Sequence, residues 1–200
     1  MWSREIMGIE LLHIMECFIM YSVLGWIVES AYMSICNKKL TNRGFSFGPF
    51  CPIYGWGAVL GYFILSPLKD HTILLYITGA LIATMFEFLV AVVMRKFLHQ
   101  VWWDYTDKPF NYQGIICLES TIAWGFYALI IVKVLHRYML YIATTIPRRI
   151  GKVVCFTVLF VYLLDFTYHL LIAIDDDFRM NMDEKKEIVQ EKYKSFWRRF

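Results

Sequence analysis

Five acidic side chains, Glu16, Glu29, Glu87, Glu119 and Asp165, interrupt apolar stretches long enough to cross a lipid bilayer. A carboxylate at the centre of a membrane costs about 3 kcal/mol or more, so it persists where it has a partner or a task. Two tasks suit it: binding a proton or cation, and accepting the hydrogen bonds that orient a polar ligand. Glu29, Glu87 and Glu119 are expected near one membrane face, roughly 7–11 Å in along their helices. Loops on that face supply Asn42, Arg43, Asp104 and Asn111. Arg43 is the natural counter-ion of Glu29, because a planar guanidinium holds a carboxylate through two hydrogen bonds. The competing reading is that these groups only pin helices together.

Other pairs carry less. Asp165 and His169 stand at i, i+4 with Tyr162 on the same side; the pair could relay protons or make an inter-helix hydrogen bond. His13 and Glu16, at i, i+3, read as interfacial or paired. Neither has the spacing of a metal site, and no cofactor is expected. The aromatic group Trp102, Trp103, Tyr105, Phe110 and Tyr112 reads as an interfacial belt with Asp104 inside it.

The elements that position these residues follow from composition. Of 200 residues, 58% are hydrophobic and 18% charged, and the mean hydropathy is +0.49. Soluble domains carry roughly 25% charged residues. The fold class expected is all-α, a polytopic membrane helix bundle of about five transmembrane helices. Their expected ranges are 9–35, 53–68, 72–94, 114–135 and 150–174. The first run is too long for a signal-peptide core and lacks a small-residue cleavage site. The second span is short and opens after Pro49 and Pro52; its Gly57-xxx-Gly61 suits close helix packing. A half-helix lining a cavity is the alternative. Five cysteines without a CxxC give no disulfide framework or zinc site. A net charge of +3 is too small to argue for nucleic acid; anionic lipid is the simpler partner.

Five spans place the termini on opposite faces. The face holding the Asn42–Gly48 loop and the C-terminus carries thirteen Lys and Arg residues against seven, which makes it cytoplasmic. Without the tail the balance nearly vanishes. Residues 1–174 form the transmembrane domain and 175–200 a C-terminal tail. Within the tail, Asn181 and Glu184 resemble a helix start. Val189, Tyr193, Phe196, Trp197 and Phe200 share one helical face, so the tail is an interfacial amphipathic helix or a solvated one.

The first two spans and the next two resemble copies of one hairpin. Each first helix carries a Glu with small residues earlier on the same face, Ser22 and Gly25 before Glu29 and Ala80, Ala83 and Thr84 before Glu87. Each loop places an Asn shortly before a Gly, and each second helix carries Trp-Gly at 56–57 or 124–125. Repeats of this kind in transporters put the ligand between the copies. No phosphate-binding loop occurs, so the chain does not hydrolyse ATP through one, and no G-x-S-x-G, H-E-x-x-H or dinucleotide fingerprint occurs.

Three stretches carry a resemblance: Gly25-Trp26-Ile27-Val28-Glu29, then Asn42-Arg43-Gly44-Phe45 with Gly48-Pro49, then Pro52-Ile53-Tyr54-Gly55-Trp56-Gly57. Together they resemble the first motif block of a bacterial family, the putative ABC transporter permease (type IV) family. Trp103-Asp104-Tyr105, Asn111, Gly114-Ile115-Ile116 and Ser120 through Gly125 resemble its second block. The likeness runs over about residues 16–130. It implies a multi-pass inner-membrane protein working with a separate ATPase subunit. Three functions remain open. One is a permease component, a homodimer or part of a complex, binding a polar solute or lipid headgroup. Another is a membrane enzyme acting on lipid or isoprenoid, with Glu or Asp as general base. The third is a structural or assembly protein.

Overall fold

The computed structural model describes residues 4–42, 47–98 and 103–197, with the side chains of 37, 98 and 173–197 excepted. A small hairpin precedes the first span. Strands β1 (Glu5–Ile6) and β2 (Ile9–Glu10) pair Glu5 with Glu10 and Ile6 with Ile9. Met7 and Gly8 both have positive φ, which matches the right-handed twist of a two-residue turn.

Helix α1 (Leu11–Asn37) ends on Lys38 in the left-handed conformation, whose backbone N–H and that of Lys39 return to the last turn. Helix α2 (Pro52–Leu65) starts on Pro52, whose missing N–H has no helical role at that position. A 3-10 turn, Ser66–Leu68, ends it. Helix α3 covers Thr72–Leu98. Strands β3 (Asn111–Tyr112) and β4 (Ile116–Cys117) form a second hairpin. Helices α4 (Leu118–Ile130) and α5 (His136–Thr145) are joined by one wide π turn, Ile131–Leu135. Helix α6 runs from Arg148 to Trp197.

Four helical stretches are long and apolar enough to cross a membrane: Leu11–Cys36, Thr72–Phe97, Leu118–Thr145 and Arg148–Ile172; Pro52–Leu68 is a shorter apolar helix. The protein is an all-α, multi-pass membrane protein. Helix α2 packs mainly along α1, and α4 along α3; α1 also meets α5 and α6. Both expected hairpins are thus present.

Several boundaries differ from expectation. The fourth span begins at Leu118 and not near Gly114, because Gln113 and Gly114, both at positive φ, turn the chain into β4 first. It also runs on to Thr145, so Lys133 and Arg137 lie within a helix and not beyond it. The backbone of α6 passes through Asp175–Asp177 and Asn181 without a break, so Asn181 is not a helix start. The tail's apolar stripe lies outside the described side chains.

Two small cores hold the bundle. One gathers Cys17, Phe18, Tyr21, Phe50, Ala58, Val59 and Ala143; the other gathers Leu65, Leu75 and Ala128. Small residues set the close approaches. A Cβ at Gly25 would overlap the Tyr54 ring, at Gly55 the Ser22 and Phe18 side chains, at Gly79 the Ala128 methyl, and at Gly125 the Tyr76 ring. The expected Gly57-xxx-Gly61 interface is not one of them. Gly61 has nothing within 4 Å and Gly57 meets only the Phe86 ring at 3.6 Å.

Candidate functional site

Glu87 sits on α3 ten residues before Phe97, about 15 Å from the end of that span. It is 6% exposed, the most deeply placed acid of the loop face. Its carboxylate is held from two directions. The Tyr105 hydroxyl, from the loop before β3, donates to Oε1 at 3.0 Å. From α4, Trp124 Nε1 donates to Oε2 at 3.0 Å, with the Ser120 hydroxyl at 3.4 Å. One turn earlier the Thr84 hydroxyl donates to Thr121 at 3.0 Å. The α3–α4 seam is therefore polar toward this face and apolar toward the other, where Leu75 and Ala128 meet.

The loop is built to deliver Tyr105. Asp104 accepts from the backbone N–H and the hydroxyl of Thr106. Asn111 donates to the carbonyls of Thr106 and Lys108, at 3.1 and 2.8 Å, and accepts from Gly114 N at 3.1 Å. Tyr105 N bonds Gly114 O, and Trp103 Nε1 bonds Ile115 O. Helix α4 then starts with Cys117 and Ser120 capping each other. Asp104 and Asn111, expected as ligand-binding groups, are exposed and spend these bonds on the loop. Trp103 and Tyr105, expected in an interfacial belt, turn inward; Phe110, 82% exposed, and Tyr112 stay outside.

Glu29 occupies the matching place on α1, half-buried, and accepts the hydroxyl of Tyr54 from α2. Tyr105 lies within electrostatic reach of both glutamates. Burial and then the adjacent Glu87 carboxylate hold its phenol above the ordinary value, and Glu29 adds to the same effect. Tyr54 in turn lies within electrostatic reach of Tyr105. Two hydrogen-bonded pairs, Glu29–Tyr54 and Glu87–Tyr105, thus stand one on each hairpin.

The structure does not bring Glu119 to either pair. Glu119 lies in the first turn of α4, where a negative charge favours the helix dipole. Its side chain is 64% exposed and pairs with Lys108 at 2.9 Å. The three glutamates expected at similar depth therefore split into two inside and one at the rim. Asn42 is exposed and accepts from Trp26 Nε1 at 2.6 Å. Arg43 and the expected Glu29–Arg43 pair lie outside the described residues.

Asp165 and His169 also converge on this face. Asp165 accepts from Gly48 N at 3.0 Å, and His169 Nδ1 lies 3.1 Å from its Oδ1. The His169 ring meets Phe47 edge-on at 4.5 Å. The pair fastens the start of α2's approach loop to α6, a role that neither sequence reading of it assigned. Tyr54, Tyr105, Ser120 and Trp124 are the site residues that the candidate set lacked. The one signal for them in the sequence was their place in the two motif blocks. Among the described residues no group of three or more His, Cys, Asp or Glu is placed to hold a metal ion.

Comparison with known proteins adds one finding. The model of a family described as "Putative ABC-transporter type IV" matches residues 16–170. No curated protein and no solved structure matches the chain.

Proposed function

Because the chain belongs to the putative ABC-transporter type IV family, we propose that it is the permease-type membrane subunit of a transporter driven by a separate ATPase. The absence of a phosphate-binding loop in its own sequence supports that division of labour. Five helices are few for a complete pathway, so the working unit is a homodimer or a complex with a partner. The loop face, with the C-terminus, is cytoplasmic.

The observation that carries the reading is Glu87. A buried carboxylate bonded by Tyr105 from a loop and by Trp124 from a helix couples the loop's position to the α3–α4 seam. With Glu29 bonded by Tyr54 on the other hairpin, the gap between hairpins is the site this reading favours for a polar or charged solute or a lipid headgroup. Glu29 and Glu87 supply charge, and Asn42 and Arg43 border the opening. Asp104 and Asn111 act by shaping the loop, and Glu119 with Lys108 forms the rim.

A structural role for Glu87 is the second reading. The fact in its favour is that both carboxylate oxygens already have protein donors. The two separate on Glu87→Gln. The chain is co-purified with its ATPase, reconstituted in liposomes, and assayed for ATP hydrolysis across a panel of amines, anions and lipid headgroups. The site reading expects the variant to fold and assemble as the parent does while losing solute-stimulated hydrolysis. Unchanged stimulation leaves Glu87 structural. Failure of any ATPase to co-purify overturns the permease assignment itself.

A further inference from the structure

A second buried acid stands at the opposite end of the bundle. Glu16 lies on α1 five residues after Leu11, about 7.5 Å into the span from the β1–β2 side. It is 5% exposed. Its Oε2 is 2.8 Å from His13 Nδ1, and its Oε1 has no hydrogen-bond partner. That oxygen is pressed against Gly151 of α6, where a Cβ would overlap it. A buried carboxylate oxygen without a hydrogen-bond donor loses its hydration and gains nothing in exchange. A bound proton removes the charge that makes the position costly.

Other titratable groups stand around it. Cys17 on α1 and Cys155 on α6 are the thiols within electrostatic reach of Glu16. Arg148, one turn before Gly151, is occupied by Glu10 at 2.6 Å. Arg149 and Lys152 are exposed. From α5 and α2 the titratable groups packed toward this half of α1 include His136 and Tyr62; Tyr54 packs at the other end, beside Gly25 and Glu29. His136, 3% exposed, stacks on Tyr62 at 3.5 Å and faces the Tyr21 hydroxyl at 3.3 Å through Nδ1. Its Nε2 is likewise without a partner. The π turn just before His136 re-registers the helix there, a feature frequent at functional positions.

His13 completes the arrangement. Its side chain is 15% exposed against 5% for Glu16, so it stands between the acid and the β1–β2 face. We propose that Glu16 is a proton-binding site inside the bundle, loaded from the β1–β2 face through His13. A proton from water binds the outward imidazole nitrogen. The Nδ1 proton passes to Glu16 Oε2, leaving a neutral imidazole and a neutral carboxylic acid, and the reverse transfer returns it.

The site is tested in intact membranes with dicyclohexylcarbodiimide, which modifies protonated carboxyl groups in apolar surroundings, followed by peptide mapping across pH. Glu16 is expected to be labelled, with labelling falling several-fold as pH rises through a single transition. His13→Asn is expected to move the midpoint of that transition while leaving helical content and Tm unchanged. Absence of label at Glu16 at every pH overturns the proposal, as does labelling that does not vary with pH. A midpoint unmoved by His13→Asn overturns the route through His13. The unsubstituted chain gives the main reading, so a poorly folding Glu16→Gln control does not blur it. Cleavage at Met15 and Met20 separates Glu16 from Glu29 and Glu87, so this outcome is independent of the transport site.

Discussion

Glu87 and Tyr105 are one unit, and each can be measured through the other. Tyr105→Phe removes the donor to Oε1 and leaves that oxygen unsatisfied, which costs about 1–3 kcal/mol. We expect a lower Tm in detergent for Tyr105→Phe. In a double-mutant cycle with Glu87→Gln the two losses should fall short of additive. Fully additive losses would mean that the bond contributes nothing to stability.

Asp104 gives a pH prediction outside the membrane. The Thr106 hydroxyl, and then its backbone N–H, hold the Asp104 carboxyl below its ordinary value. A folded value below the unfolded one stabilises above the ordinary carboxylate pKa. That contribution is lost as pH falls through the lower folded value. The Thr106 amide should therefore stay protected from exchange at neutral pH and lose protection only in acid. Thr106→Ala should return Asp104 to the ordinary range in an NMR titration. An Asp104 titration indifferent to Thr106→Ala would show that these bonds do not set it.

The helices are joined where side chains are smallest. Gly25 receives the Tyr54 ring and Gly125 the Tyr76 ring, so each hairpin closes by an aromatic lying on a glycine. Gly125→Ala should cost about 1–3 kcal/mol through overpacking, because a ring pinned between two helices has little room to move. Gly61→Ala should be neutral, or stabilising by up to about 1 kcal/mol, because it improves helix propensity in open space. Thermal unfolding of the two variants side by side decides the matter. Equal effects would remove the distinction between a packed and an open glycine.

For the molecule as a whole, five alternating spans are expected to put residue 42 and the end of α6 on one face. Asn42→Cys and Ser195→Cys, each in a cysteine-free background, should react with a membrane-impermeant maleimide from the same side of sealed vesicles. Reaction from opposite sides would break the five-helix topology. The large apolar lateral surface is consistent with this arrangement. Ile73, Leu81, Phe97, Phe156 and Leu171 are all more than 60% exposed, as residues facing lipid are.

Fold class and hairpins were legible in the sequence because each span is a local property. A segment in lipid must satisfy its own backbone hydrogen bonds, so about 20 apolar residues in a row declare a helix by themselves. Glu29 and Glu87 were legible for the same reason, since an acid inside such a run stands out. Which face of each helix meets its neighbours was not legible. Lipid is as apolar as a protein core, so the helices carry little sidedness and no pattern distinguishes Gly125 from Gly61. The burial of Glu16 depended on a partner far along the chain, Gly151, and the outward turn of Glu119 on the loop that folds Lys108 against it. Tyr105 reads as one more interfacial aromatic until the loop folds. Only the tertiary structure, by closing Asp104 on Thr106 and Asn111 on Gly114, carries its hydroxyl down to Glu87.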